Sequence, residues 1–149
     1  METHGTVFDL LHNKSGEIWT THPLDTVYQA IHLMGEKNIG ALVAIENGEV
    51  TGVLSERDYS RKVVLQGRTS RDTLVGEILS CPAVTVSSKD SIEQCMHLMT
   101  GKRIRHLPVV DEGNLVGLIS IGDLVSWVMH SQHHTIQQLQ GYISGDYPG

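Results

Sequence analysis

The chain repeats itself, and this repeat restricts its fold more than any other feature of the sequence. Sliding the sequence by 65 residues sets Trp19–Ser60 against Val84–Val125 without a gap. Identical residues then coincide at thirteen positions, where chance would supply about three. Thr20 meets Thr85, Asp25 meets Asp90, Gln29 meets Gln94, His32-Leu33-Met34 meets His97-Leu98-Met99, Lys37 meets Lys102 and Ile39 meets Ile104. The match continues with Leu42 and Leu107, Gly48 and Gly113, Gly52 and Gly117, Ser55 and Ser120, and Asp58 and Asp123. A duplicated unit of this size buries its apolar face against its copy, so two like units packed together are predicted.

Within the first unit, Ile18–Thr20 predicts an opening strand. Pro23 and Asp25 then precede Val27, Ala30, Ile31 and Met34 at helical spacing, with Lys37 placed to suit the helix C-terminal dipole. Ala41–Ile45 and Val50–Leu54 flank Glu46-Asn47-Gly48-Glu49 and predict a hairpin. Ser55 followed three residues later by Asp58 reads as a capping box for a second helix that stops near Gly67. The unit is therefore β-α-β-β-α. The second unit repeats it with Ala83–Val86, a helix from Asp90 to about Thr100, Leu107–Val110, the turn Asp111-Glu112-Gly113-Asn114, Leu115–Ile119 and a helix from Ser120.

The expected organisation is an N-terminal helix in 1–15, unit 1 in 16–67, a connector in 68–80, unit 2 in 81–130, and a helical extension with a frayed tail in 131–149. The fold class is α/β: a tandem repeat of two units related by a pseudo-twofold axis.

Composition narrows the function. The 149 residues carry a net charge of −6 and a pI near 5.8, which argues against a nucleic-acid-binding surface built from clustered Lys and Arg. The longest wholly apolar run, Ala41–Ile45, is far shorter than the roughly 20 residues that span a bilayer, so no membrane partner is expected. Cys81 and Cys95 show no CxxC spacing and no secretory leader precedes them, which suits a reducing cytoplasmic location. Cys95 falls at the Ala30 position of the repeat and reads as buried, Cys81 as the more exposed thiol.

Two copies of Gly-apolar-apolar-Ser-x-x-Asp stand at the strand-to-helix junctions, Gly52-Val53-Leu54-Ser55-Glu56-Arg57-Asp58 and Gly117-Leu118-Ile119-Ser120-Ile121-Gly122-Asp123. With Ile104-Arg105-His106-Leu107-Pro108-Val109-Val110-Asp111, the Leu-Met pairs and the 65-residue spacing, this pattern resembles the CBS domain (cystathionine β-synthase domain). The stretches Leu11–Trp19 and Ser55–Lys62 are similar to stand-alone paired-CBS proteins of bacteria and plant organelles. The resemblance implies a Bateman module: two units with pseudo-twofold symmetry, modules that associate as a homodimeric disc, and clefts between units that bind an adenosyl ligand such as AMP, ADP, ATP, NAD or an S-adenosyl compound.

By that resemblance Ser120 and Asp123 contact ribose, with Ile121 beside them in the motif, and Arg105 and His106 reach phosphates in the same cleft. Lys14, Trp19 and Ile39 border it from the other side. Ser55 and Asp58 form a second cleft, with Arg57 substituting for the absent basic pair. The chemistry agrees, because a carboxylate accepts both hydroxyls of a vicinal diol and a guanidinium fork suits phosphate. A histidine adds charge as pH falls toward about 6.

Plainer roles compete with each assignment. Ser55 and Ser120 cap helices in any protein, and Arg105 and His106 suit a solvated strand edge or a dimer contact. His130, His133 and His134 have metal-ligand spacing, but with no carboxylate or Cys nearby a polar helix end is the expectation and no metal site is assigned. Ser120 lacks the Gly two residues earlier that a nucleophile elbow needs, and the GxxxxGK[ST], HExxH and GxGxxG motifs are missing, so the chain reads as a non-enzyme with no catalytic cofactor. Two functions are expected: a nucleotide-sensing module acting on a separate protein partner, or a scaffold with vestigial clefts.

Overall fold

The computed structural model describes the backbone of residues 5–14 and 17–142 and the side chains up to 131. Helix α1 (Val7–Asn13) is followed by β1 (Thr20–Thr21), α2 (Val27–Lys37), β2 (Ala41–Glu46), β3 (Glu49–Ser55) and α3 (Glu56–Tyr59). A π-helical turn (Ser60–Val64) extends α3, and two 3₁₀ turns (Ser70–Asp72 and Val75–Glu77) occupy the connector. The second unit holds α4 (Ile92–Lys102), β4 (His106–Asp111), β5 (Asn114–Ser120) and α5 (Ile121–Tyr142). The tandem repeat and its mixed α/β class are thus as the duplication predicts.

The duplication reaches into detail. Both hairpins close on two-residue turns with both φ values positive, 53° and 79° at Asn47-Gly48 and 51° and 81° at Glu112-Gly113. This conformation matches the twist of the flanking strands. Both hairpins also shift register at the same place, between Ala44 and Ile45 and between Val109 and Val110. Helices α2 and α4 carry reciprocal capping boxes, Thr26 with Gln29 and Ser91 with Gln94, which satisfy the N–H groups that a helix start leaves unpaired.

The opening strands are shorter than expected and unequal. In unit 1, β1 runs parallel to β2 through Thr20↔Val43 and Thr21↔Ala44. In unit 2, Ala83–Val86 shrinks to the single bridge Val86↔Val109. Pro108 stands at the repeat position of Val43 and has no N–H, so a parallel ladder cannot extend past it.

Two cores result, and each is closed by a segment that precedes the other unit in sequence. Val75 and Ile78, immediately before unit 2, are buried with Val27, Met34, Leu42 and Leu54 in the first core. Val7 and Leu10, immediately before unit 1, are buried with Ile92, Met99, Leu107 and Ile119 in the second. The backbone ties are equivalent: Val27 N–H donates to Thr73 O at 2.8 Å and Val75 N–H to Asp25 O at 2.8 Å, while Val7 N–H donates to Asp90 O at 2.8 Å and Ile92 N–H to Gly5 O at 3.1 Å.

Two glycines at matching repeat positions test this packing. A Cβ on Gly52 would lie 2.8 Å from Ser80 O, a backbone atom held by the N–H of Val53 at 3.2 Å. A Cβ on Gly117 would lie 2.7 Å from a methyl group of Leu11, which can rotate away. Gly52→Ala is expected to destabilise by about 1–3 kcal/mol and Gly117→Ala by clearly less, as measured by urea unfolding of the two variants.

Candidate functional site

Each Ser-x-x-Asp motif folds into a capping box because the strand ends where a helix begins. The motif's Ser and Asp thereby satisfy the helix's first N–H groups from within the chain. Ser120 N–H donates to Asp123 Oδ2 at 2.8 Å and Asp123 N–H to Ser120 Oγ at 3.1 Å. The first unit repeats this with Ser55 N–H to Asp58 Oδ2 at 2.9 Å and Asp58 N–H to Ser55 Oγ at 3.1 Å.

The two carboxylates differ beyond the cap. Ser55 Oγ donates to Asp58 Oδ2 at 3.0 Å, while Asp58 Oδ1 accepts from Ser80 Oγ at 3.1 Å and pairs with the Lys62 ammonium at 3.2 Å. Asp58 is buried and fully engaged. Asp123 Oδ2 pairs with the Lys14 ammonium at 2.7 Å, but its Oδ1 and the Ser120 hydroxyl proton have no partner among the described residues. Burial alone would raise the Asp123 pKa. The Lys14 ammonium and the Ser120 N–H outweigh it and hold the carboxyl below its ordinary range.

A cleft of about 520 Å³ surrounds Asp123, within the usual size range of small-molecule sites. It gathers Ser120, Asp123, His106, Lys14, Trp19 and Ile39, all expected there from the sequence. Lys37 enters too, its ammonium 4.3 Å from the centre of the Trp19 ring. The sequence suggested only a helix-dipole role for Lys37.

Two expected residues are not brought there. Arg105 lines the second cleft instead, and the exposed Ile121 lines neither. The reason is the pseudo-twofold packing: the residues before the first strand of each hairpin face the Ser-x-x-Asp motif of the opposite unit. Ala41 therefore borders Asp123, Gly40 borders both motifs, and Arg105, the counterpart of Gly40 across the repeat, borders Asp58. Ile39 carried this signal, since its repeat equivalent Ile104 is the neighbour of Arg105 and lines the second cleft with it.

The second cleft, about 650 Å³, holds Ser55, Asp58 and Arg57 as expected, and in addition Arg61, Lys62, Arg103 and Arg105. Gly40 and His106 border both clefts. Burial pushes the His106 pKa below its ordinary 6.5; Asp123 and Asp58 pull it up, while Lys14 and Arg105 push it further down. The imidazole is neutral at pH 7, and the charge gain expected near pH 6 is shifted to more acidic conditions.

Elsewhere, Cys95 is buried, which pushes its thiol up to about 11, and Cys81 is exposed. Among the described residues no group of His, Cys, Asp and Glu could hold a metal ion. The side chains of His133 and His134 and the tail after Tyr142 lie outside those residues. No described helix is long and apolar enough to cross a membrane.

The model of the CBS domain family matches residues 9–64 and 75–130. The chain is 39% identical to the mitochondrial CBS domain-containing protein CBSX3 of Arabidopsis thaliana over 95% of its own length and 73% of that protein. It is 37% identical to the CBS domain-containing protein YhcV of Bacillus subtilis over 72% of its own length and 76% of that protein. Among solved structures, a CBS-domain protein from Burkholderia ambifaria superposes with a TM-score of 0.82 at 48% identity, covering 86% of this chain and 96% of that one. A CBS-domain-containing protein from Agrobacterium tumefaciens gives 0.76 at 35% identity, with coverages of 82% and 92%.

The lowered pKa of His106 has a consequence for stability. Below pH 6.5 the unfolded chain takes up this proton before the folded one does, so the neutral imidazole's contribution is present above that pH and is lost as pH falls. Replacing His106 with Gln is expected to flatten the decline of the thermal midpoint between about pH 6.5 and 5, measured against the parent protein in matched buffers.

Proposed function

The chain belongs to the CBS domain family and is a CBS-pair regulatory module, and from that premise we propose that it senses an adenosyl ligand in the Asp123 cleft and acts on a separate protein partner. The observation that carries this reading is the unfinished hydrogen bonding at the motif. Asp123 Oδ1 and the Ser120 hydroxyl proton are unused among the described residues, in a cleft that also offers two ammonium groups and the Trp19 ring. A ribose diol donates to the free carboxylate oxygen and accepts from the hydroxyl. Lys14 and Lys37 neutralise an attached phosphate, and Trp19 supplies an apolar wall. AMP, ADP, ATP, NAD and S-adenosyl compounds all present this ribose.

We take the chain to be non-catalytic: the two motif carboxylates serve separate clefts and do not form an acid–base couple. A ligand then acts only through its different affinities for two arrangements of the module. Two cysteines that form no disulfide with each other favour a reducing compartment such as the cytoplasm, although one relative is a mitochondrial protein. A homodimer is supported by exposed apolar side chains on both second helices. Ile121, Val125 and Met129 stand out from α5, and Val64, at the repeat position of Met129, stands out from the π turn.

The ligand reading is tested by thermal unfolding with each of AMP, ADP, ATP, NAD and S-adenosylmethionine at about 1 mM. A ligand binding at roughly 10 μM adds about 2.7 kcal/mol, which raises the midpoint by about 5–10 °C. Asp123→Ala should abolish the rise, measured from that variant's own lower baseline. A panel without effect would move the reading to a scaffold with vestigial clefts. For the dimer, Val125→Glu combined with Met129→Glu should halve the mass found by sedimentation while leaving the far-UV circular dichroism unchanged.

A further inference from the structure

The repeat is an internal control for the surface as well as for the cores. Where one copy exposes apolar side chains and the other exposes polar ones at the same backbone positions, the fold does not require the apolar set. The junction at which the connector packs on the start of α2 is such a surface. Leu24 is 70% exposed there, Tyr28 39% and Leu74 37%. The 65-residue shift gives Lys89 and Glu93, both exposed, as the counterparts of Leu24 and Tyr28. Leu74 bridges Thr26 as Thr6 bridges Ser91, so its counterpart is Thr6.

Nothing described so far uses these three side chains. They belong to neither core, line neither cleft and lie apart from the exposed face of α5. Backbone bonds bring them to one place: Val75 N–H donates to Asp25 O and Gly76 N–H to Pro23 O, each at 2.8 Å, which lays Leu74 along the turn that carries Leu24 into α2. Leucine at position 74 also gives up a cap. The Thr6 hydroxyl accepts from Asp9 N–H at the start of α1, and Leu74 has no oxygen for that role at the start of its 3₁₀ turn.

One cation completes the surface. The Arg71 guanidinium lies over the Tyr28 ring, its carbon 4.0 Å from the ring centre, and the residue is exposed. It has no ion pair among the described residues, and the carboxylates around it are engaged: Asp72 accepts from Thr69, Glu77 pairs with Arg68 at 2.6 Å, and Asp25 accepts from Thr21 and His22 N–H. Stacking occupies the face of a guanidinium and leaves its in-plane N–H donors for a carboxylate. The surface therefore offers apolar contact beside an oriented, unspent fork for an acid.

We infer that this junction docks the separate protein partner, through a segment that sets apolar side chains on Leu24, Tyr28 and Leu74 and an Asp or Glu on Arg71. The inference rests on the partner reading above and names the chemistry of the partner. Charge selects the occupant. A second copy meeting this surface through the same surface would bring two unpaired guanidinium groups into one interface, whereas an acidic segment satisfies the one that is there.

Selection of a phage-displayed random peptide library on the full chain tests this, with the recovered peptides synthesised and titrated by fluorescence anisotropy. The expected peptides combine apolar residues with an Asp or Glu. Leu24→Ser and Arg71→Glu, each with the thermal midpoint and sedimenting mass of the parent, should weaken their binding about tenfold or more. Replacing the peptide's acid with Lys should restore binding to Arg71→Glu and abolish it for the parent. Peptides held equally by the parent and both variants would overturn the inference and leave the partner reading intact. Binding lost in Arg71→Glu and not restored by the Lys peptide would also overturn it, as would a smaller sedimenting mass for Leu24→Ser, which assigns the surface to a second copy. A library that yields no binder overturns the inference and the partner reading together.

Discussion

Neither unit of this protein closes its own core. The second core depends on Val7 and Leu10, delivered from before the first unit, and the first core depends on Val75 and Ile78, delivered from before the second. Each segment is pinned by three backbone hydrogen bonds to the chain around the start of a helix, α2 in one case and α4 in the other. At about 1.5–3 kcal/mol for each fully buried aliphatic side chain, losing either segment would remove a large part of a typical domain's stability. The exchange also holds the units against one another. The clefts between them follow, because each is walled by the hairpin of one unit and the motif of the other.

The same exchange supplies chemistry. Lys14 follows directly on α1, whose Val7 and Leu10 fill the second core, and its ammonium reaches Asp123 at 2.7 Å and Leu118 O at 2.8 Å. At the matching point after Val75 and Ile78 the chain presents Ser80 and Pro82, with Ser80 bonded to Asp58. A cation therefore meets one motif and a hydroxyl meets the other. Two copies of one capping box become a carboxylate with an oxygen to spare and a carboxylate that is saturated.

Most of the fold was legible in the sequence because duplication reports each element twice. The hairpins could be placed from Asn47-Gly48 and Glu112-Gly113, and the helices from apolar spacing and their capping residues. The shortened opening strand of unit 2 was legible in principle from Pro108. The π turn was not, since Ser60–Val64 has no composition that separates it from an α-helix. Of the site, Lys14, Trp19 and Ile39 line the Asp123 cleft where the sequence placed them, whereas Arg105 lines the cleft that holds Asp58. The Arg105 backbone does stay beside its own motif, its carbonyl accepting from Ile121 N–H at 2.8 Å, while the residue lines the cleft of the other.

That crossed pairing explains why the duplicated halves could diverge without losing the fold. Gly40 and Arg105, just before the first strands of their hairpins, border clefts and belong to neither core, so this difference between the copies changes the charge of a cavity and leaves core volume untouched. Core positions are constrained by packing density, and several of them differ only conservatively: Val27 against Ile92, Ala30 against Cys95, Leu54 against Ile119. The cleft-facing positions carry Asn, Gly and Ala in one copy and Arg, Arg and His in the other. The duplication thus preserves one scaffold while letting its two cavities acquire different chemistry.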